Sequence, residues 1–227
     1  MILDIKLPKY TITLPISKKK VEFRPFTVKE EKILLLAKEE GKTDSIINSI
    51  SQIVDNCTFG KHSINTMNKI DGEFLFVQLR NKSMGEGVEV RAICKECKDK
   101  TPMTLNLDDI KVINIPKKLP SFEILPKVWV SFKYPTLKES LAMVDADAIT
   151  LMAICLDTII ENNDVKQAAD FSMEDRIEFI ESLTNAQVNT FSEFFEKFPL
   201  IVLDVDYTCK CGVVNNIHLE GIENFFQ

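Results

Sequence analysis

The chain has only two histidines, His62 and His218, and seven glycines among its 227 residues. So few glycines leave little room for a backbone loop that cradles phosphate, and no such loop followed by lysine occurs. Neither histidine has an obvious nucleophile beside it, and Gly-x-Ser-x-Gly and His-Glu-x-x-His are both missing. Acidic pairs such as Asp108/Asp109 and Glu174/Asp175 fall at turns or helix starts, where they complement the helix dipole rather than form a catalytic pair. No pattern here argues for an enzyme. Long apolar runs are also absent: the longest, near Ile149 to Ile160, is broken by Thr150, Asp157 and Thr158, so no membrane span is expected. Asp4 and Lys6 interrupt the opening residues, which argues against a secretory leader and for a reducing cytoplasm. The net charge of −6 makes a large phosphate-binding face unexpected.

What the sequence does contain is an echo of itself. Lys20-Val21-Glu22-Phe23-Arg24-Pro25-Phe26-Thr27-Val28-Lys29-Glu30-Glu31 is answered by Trp129-Val130-Ser131-Phe132-Lys133-Tyr134-Pro135-Thr136-Leu137-Lys138-Glu139-Ser140. Each passes from an alternating β-type stretch through a proline-marked turn into Thr-x-x-Glu, the box that opens a helix. A second echo joins Cys94-Lys95-Glu96-Cys97, which leads to Leu105 through Ile110, with Cys209-Lys210-Cys211-Gly212, which leads to Ile217 through Ile222. The period is too long for a solenoid and points to a duplicated unit.

The pattern therefore predicts an α+β protein of two related units, residues 1–115 and 116–227. Each would contain a β-hairpin, a helical block and a β-turn-β cysteine knuckle. In the first unit the hairpin joins Tyr10–Leu14 to Val21–Phe23 through a solvated tip, Lys18-Lys19-Lys20. Helices follow from the Thr27 box to Gly41, from about Asp44 to Cys57, and from Asp71 to Ser83. Val112 to Leu119, with Pro116, reads as the linker. In the second unit a hairpin around Pro126-Lys127 precedes the Thr136 box, and Ala148 to Glu161 reads as one apolar helix. Ser172 caps another helix, and a last one carries Val188, Phe191, Phe194, Phe195 and Phe198. Core packing is the default for that phenylalanine stripe, with a partner groove that also uses Phe225 and Phe226 as the alternative.

Cys57 and Cys155 fall on apolar faces and read as core residues. The other four cysteines form two close pairs in polar turns, Cys94/Cys97 and Cys209/Cys211. Two facing knuckles supply the four-sulfur shell that zinc prefers, and a closed shell of this kind is structural rather than catalytic. The one-residue spacer in the second pair departs from the common ribbon pattern, although Gly212 permits a sharp turn. Two β-turns with free thiols, or a thiol oxidoreductase, are the competing readings. The redox reading suffers because Cys94 lies between strands instead of at a helix N-terminus that would lower its pKa. His218 is expected at the surface rather than in the metal shell.

The segments Leu14-Pro15 through Lys32, which contain Phe-Arg-Pro-Phe-Thr, and Phe198 through Phe226 resemble the baseplate hub assembly proteins of T-even-like contractile-tailed phages. The opening is also similar to tail assembly chaperones that coat the tape-measure protein. This resemblance implies a non-enzymatic tail factor that binds hub or tape-measure proteins. It would be found in the host cytoplasm or in the baseplate of the particle, and the family offers no catalytic residues to carry over. The alternative is a zinc-ribbon regulatory protein acting on nucleic acid or a polymerase.

Overall fold

In a computed structural model the protein is described over residues 6–85, 87–143 and 146–221. Its elements run β1 (Tyr10–Thr13), β2 (Lys20–Phe23), α1 (Val28–Glu40), α2 (Thr43–Cys57), α3 (Lys69–Met84), β3 (Gly87–Ile93), β4 (Lys100–Asn106) and β5 (Lys111–Ile113). They continue with β6 (Ser121–Leu125), β7 (Val128–Phe132), α4 (Leu137–Ala142), α5 (Ala148–Cys155), β8 (Leu156–Glu161), β9 (Asp164–Gln167), α6 (Met173–Glu181), α7 (Asn185–Asn189) and α8 (Ser192–Glu196). β10 (Leu200–Thr208) and β11 (Val214–Glu220) complete the described chain, which is a mixed α+β protein. Among the described residues no helix is long and apolar enough to cross a membrane.

The chain divides into two compact units at places other than the sequence suggests. One unit holds the described residues through Ile113 together with those from Pro199 onward, and the other is Asn114–Phe198. The expected boundary assigned residues 116–227 to a single unit. Strand pairing explains the difference: Leu200, Ile201 and Val202 of β10 pair antiparallel with Ile113, Val112 and Lys111 of β5. Part of the expected linker is therefore a sheet strand, and the last strands return to the first unit.

In the first unit β1 and β2 form a hairpin, β3 and β4 a second, and β5, β10 and β11 a three-stranded antiparallel sheet. A core of Ile70 and Val77 from α3, Val88, Leu105, Leu107, Ile110, Ile201 and Leu203 joins α3 to the strands that carry the cysteine turns. α2 buries Ile47, Ile50, Ile53, Val54 and Cys57 at three- and four-residue spacing. The tip of the first hairpin is tied down as well as solvated. Lys18, Lys19 and Lys20 are exposed, but the N–H groups of Ile16 and Ser17 donate to the buried Asp71 carboxylate at 2.8 and 2.9 Å.

The second unit is a meander of order β6-β7-β8-β9 with helices. The stretch Ala148 to Glu161 is not one helix: α5 stops at Cys155, and Leu156–Glu161 is an inner strand paired with both β7 and β9. β-Branched Thr158, Ile159 and Ile160 suit that half-buried sheet position. The expected last helix is likewise two short ones, α7 and α8. The phenylalanines take the core role: Phe191 and Phe194 are buried, and the rings of Phe191, Phe194 and Phe195 lie 4.8, 5.8 and 5.1 Å from Phe132. Phe225 and Phe226 lie outside the described residues.

The echoing segments adopt matching local structures. After each hairpin the chain bonds back to a buried cysteine's carbonyl, Arg24 N–H to Cys57 at 3.0 Å and Lys133 N–H to Cys155 at 2.7 Å. In each Thr-x-x-Glu box the threonine N–H donates to the glutamate, Thr27 to Glu30 and Thr136 to Glu139, both at 2.7 Å.

Candidate metal centre

The two cysteine pairs sit at the ends of two hairpins of the first unit. In one, Ile93 pairs with Lys100, and the Cys94 N–H closes the turn on the Asp99 carbonyl at 3.0 Å. In the other, Thr208 pairs with Val214, and the Cys209 N–H closes on the Val213 carbonyl at 2.9 Å. This second turn is shorter by one residue. Gly212, at φ 86°, takes the left-handed conformation and donates to the Cys209 carbonyl at 2.8 Å. The departure from Cys-x-x-Cys is thus absorbed by a glycine that the turn needs.

The turns bring all four sulfurs together, within 4.8 Å of one another. Cys94 Sγ lies 3.7 Å from Cys211 Sγ, and Cys97 Sγ lies 3.5 Å from Cys209 Sγ. Sulfurs held tetrahedrally at about 2.3 Å from a zinc ion stand about 3.8 Å apart, so the cluster has the dimensions of that shell. Each close contact crosses from one knuckle to the other, and the four cysteines are close enough to bind a metal ion. Cys94 and Cys209 are buried, while Cys97 and Cys211 are exposed.

The local electrostatics suit a cation. The backbone N–H of Cys97 points at the Cys94 sulfur and, with the Glu96 N–H, Asn215 and the Cys97 thiol, lowers the Cys94 thiol to about 6 against the effect of burial. At Cys97 the Asp99 N–H also favours a thiolate. There the sulfurs of Cys209, Cys211 and Cys94, with burial, outweigh it and push the thiol up to about 12. A cluster of this kind accepts one negative charge readily and resists the next, and a dication removes that conflict.

Cys57 and Cys155 are buried and stand outside the cluster, with thiols pushed up to about 12, chiefly by burial. His218 is exposed, its Nδ1 2.7 Å from Asp204 Oδ1, and it is not part of the cluster. Two neighbours of the sulfurs were missed. Asn215 places its Nδ2 3.5 Å from Cys94 Sγ, and opposite it on β10 the Tyr207 hydroxyl is held above its ordinary pKa, first by burial and then by the nearby cysteine sulfurs. The only sequence signal for Asn215 is a polar residue within a β-type stretch.

A closed four-sulfur shell on paired hairpins occurs in many folds, so the site alone does not identify the chain. Comparison with known proteins does. The family described as T4 bacteriophage base plate protein matches residues 7–227. The baseplate hub assembly protein gp26 of Enterobacteria phage T4 is 23% identical over 220 residues, covering 96% of this chain and 98% of that protein. No solved structure gives a significant match. The match runs through both units and both cysteine turns, and on it the chain belongs to the T4 bacteriophage base plate protein family.

Proposed function

We propose that this protein is a non-enzymatic assembly factor of the phage tail, binding hub or tape-measure subunits while the baseplate is built in the host cytoplasm. The observation that carries this reading is its end-to-end similarity to a baseplate hub assembly protein, 96% of one chain against 98% of the other. In this reading Cys94, Cys97, Cys209 and Cys211 hold a structural zinc that pins two hairpins together. All four positions are filled by the protein, which leaves no open site for a substrate. The matching clasps at Arg24–Glu30 and Lys133–Glu139 support descent of the two units from one duplicated element.

Charge argues against the zinc-ribbon alternative. Residues 114–198 carry eight basic and fourteen acidic side chains, while the rest of the chain carries twenty of each. Neither unit has the net positive charge that phosphate contacts require.

The test is recovery of a tagged chain from phage-producing cells, with and without nuclease, followed by mass spectrometry. Hub or tape-measure subunits retained after nuclease treatment are the expected result. Recovery of polymerase subunits or nucleic acid instead would overturn the assembly reading.

A further inference from the structure

We infer that Asn215 is a positioning residue of the four-sulfur site, whose carboxamide fixes the Cys94 sulfur of one knuckle against the strand of the other. The inference rests on the metal reading above. Asn215 lies on β11, opposite Tyr207, two residues past the turn that carries Cys209 and Cys211. It is only 4% exposed, and its polar atoms are all engaged. Its Oδ1 accepts the Lys95 N–H at 3.0 Å, while its Nδ2 donates to Cys94 Sγ at 3.5 Å and to the Val213 carbonyl at 3.1 Å.

Two of these three contacts reach into the first knuckle, 120 and 121 residues away in sequence, and the third holds the residue to its own turn. Burying a carboxamide is unfavourable unless its hydrogen bonds are made, and an apolar residue would pack a strand more simply. Its presence is accounted for by what it joins: one side chain spans both hairpins and touches a ligand atom. The corresponding position on the other hairpin is Thr101, opposite Ala92, which precedes Cys94 by two residues as Tyr207 precedes Cys209. The buried Thr101 hydroxyl has no hydrogen-bond partner among the described residues, so among them the strap is present on one side of the site only. Asn215 therefore orients Cys94 in particular, and its N–H reduces the electron density on that sulfur.

Partners of metal ligands typically change affinity by 10- to 100-fold when removed. Asn215→Asp keeps the shape and the acceptor facing Lys95, but replaces the donor facing Cys94 with an oxygen. In the full-length chain loaded with zinc, this variant is expected to release metal to an excess of chelator about 10- to 100-fold faster than the wild type. In the cobalt-substituted chain its thiolate-to-metal charge-transfer band is expected to move to longer wavelength, because the sulfur lone pairs lose an N–H partner. A merely structural residue would leave that band in place. Asn215→Ala provides the same comparison if the aspartate variant does not fold. Wild-type release rates together with an unchanged cobalt spectrum would overturn the role of Asn215. A wild-type chain that binds neither zinc nor cobalt would overturn the metal reading itself.

Discussion

Arg24 grips the Glu30 carboxylate with both terminal nitrogens, Nη1 to Oε2 at 3.0 Å and Nη2 to Oε1 at 2.7 Å. The same glutamate accepts the Thr27 N–H at the start of α1, so one carboxylate both caps the helix and holds the strand that enters it. Lys133 and Glu139 repeat the arrangement in the second unit with a single contact at 2.9 Å. The first pair has side chains 21% and 7% exposed, the second 36% and 33%. Removing a partner from the more buried pair leaves a carboxylate stranded. Arg24→Ala is expected to destabilise the protein by about 3 kcal/mol in urea unfolding. Lys133→Ala should cost about 1 kcal/mol, because water can replace the lost ammonium. Equal losses at the two sites would refute this ordering.

Acid should act through the same two carboxylates. At Glu30 burial alone would raise the pKa, but the hydrogen bonds from Arg24 and Thr27 outweigh it and hold the group below its ordinary 4.5. At Glu139 burial is likewise outweighed by Lys133 and Thr136. A folded-state pKa below the unfolded one gives stability that is fully present above the unfolded value. It is lost as pH falls through the folded value. Melting temperature should therefore drop as pH falls below about 5, where the unfolded chain begins to bind protons that the folded chain still refuses. The drop should be shallower in Glu30→Gln, which has no proton to gain. Parallel curves for the two proteins would exclude Glu30 as a source of the acid sensitivity.

What could be read from the sequence follows the range of the interactions involved. Both Thr-x-x-Glu boxes were legible because a cap is made by residues three apart. All four sulfurs were legible because each turn declares itself by spacing, and the echo paired the turns. The end of α5 at Cys155 was not, since an apolar run such as Ala148 to Ile160 fits a buried helix or a buried strand equally well. Only pairing with β7 and β9 makes Leu156–Glu161 a strand. The return of β10 to β5 and the reach of Asn215 to Cys94 were hidden for the same reason. Both join residues far apart in the chain, and no local pattern encodes them.

Asp71 offers a test of how the first hairpin is held. It is 1% exposed, accepts the N–H groups of Ile16 and Ser17, and is bonded by Asn68 Nδ2 at 2.8 Å. Asp71→Ala would leave two backbone donors of the turn and one carboxamide donor without their acceptor. A loss of about 3 kcal/mol is expected, from several charge-assisted bonds at once. Hydrogen exchange at Ile16 and Ser17 should accelerate more than exchange along α2. Unchanged protection at those two amides would mean that the hairpin is held by its apolar contacts instead.

Metal removal should distinguish the two units, because all four sulfurs lie in one of them and the single tryptophan, Trp129, lies in the other. Zinc sites of this kind contribute folding free energy directly, since the unfolded chain offers no preformed shell. Each chain is expected to carry one zinc, and Cys97→Ser or a strong chelator should remove it. Thermal unfolding followed by far-ultraviolet circular dichroism should then begin at lower temperature, as the cysteine-bearing hairpins lose their cross-link. Trp129, on β7 with Ile160 opposite it, reports the other unit, and its fluorescence transition should move less. Chelation that shifted both transitions equally would mean that the two units unfold as one. If chelation and Cys97→Ser changed neither metal content nor melting, the sulfurs would be free thiols that merely lie close together.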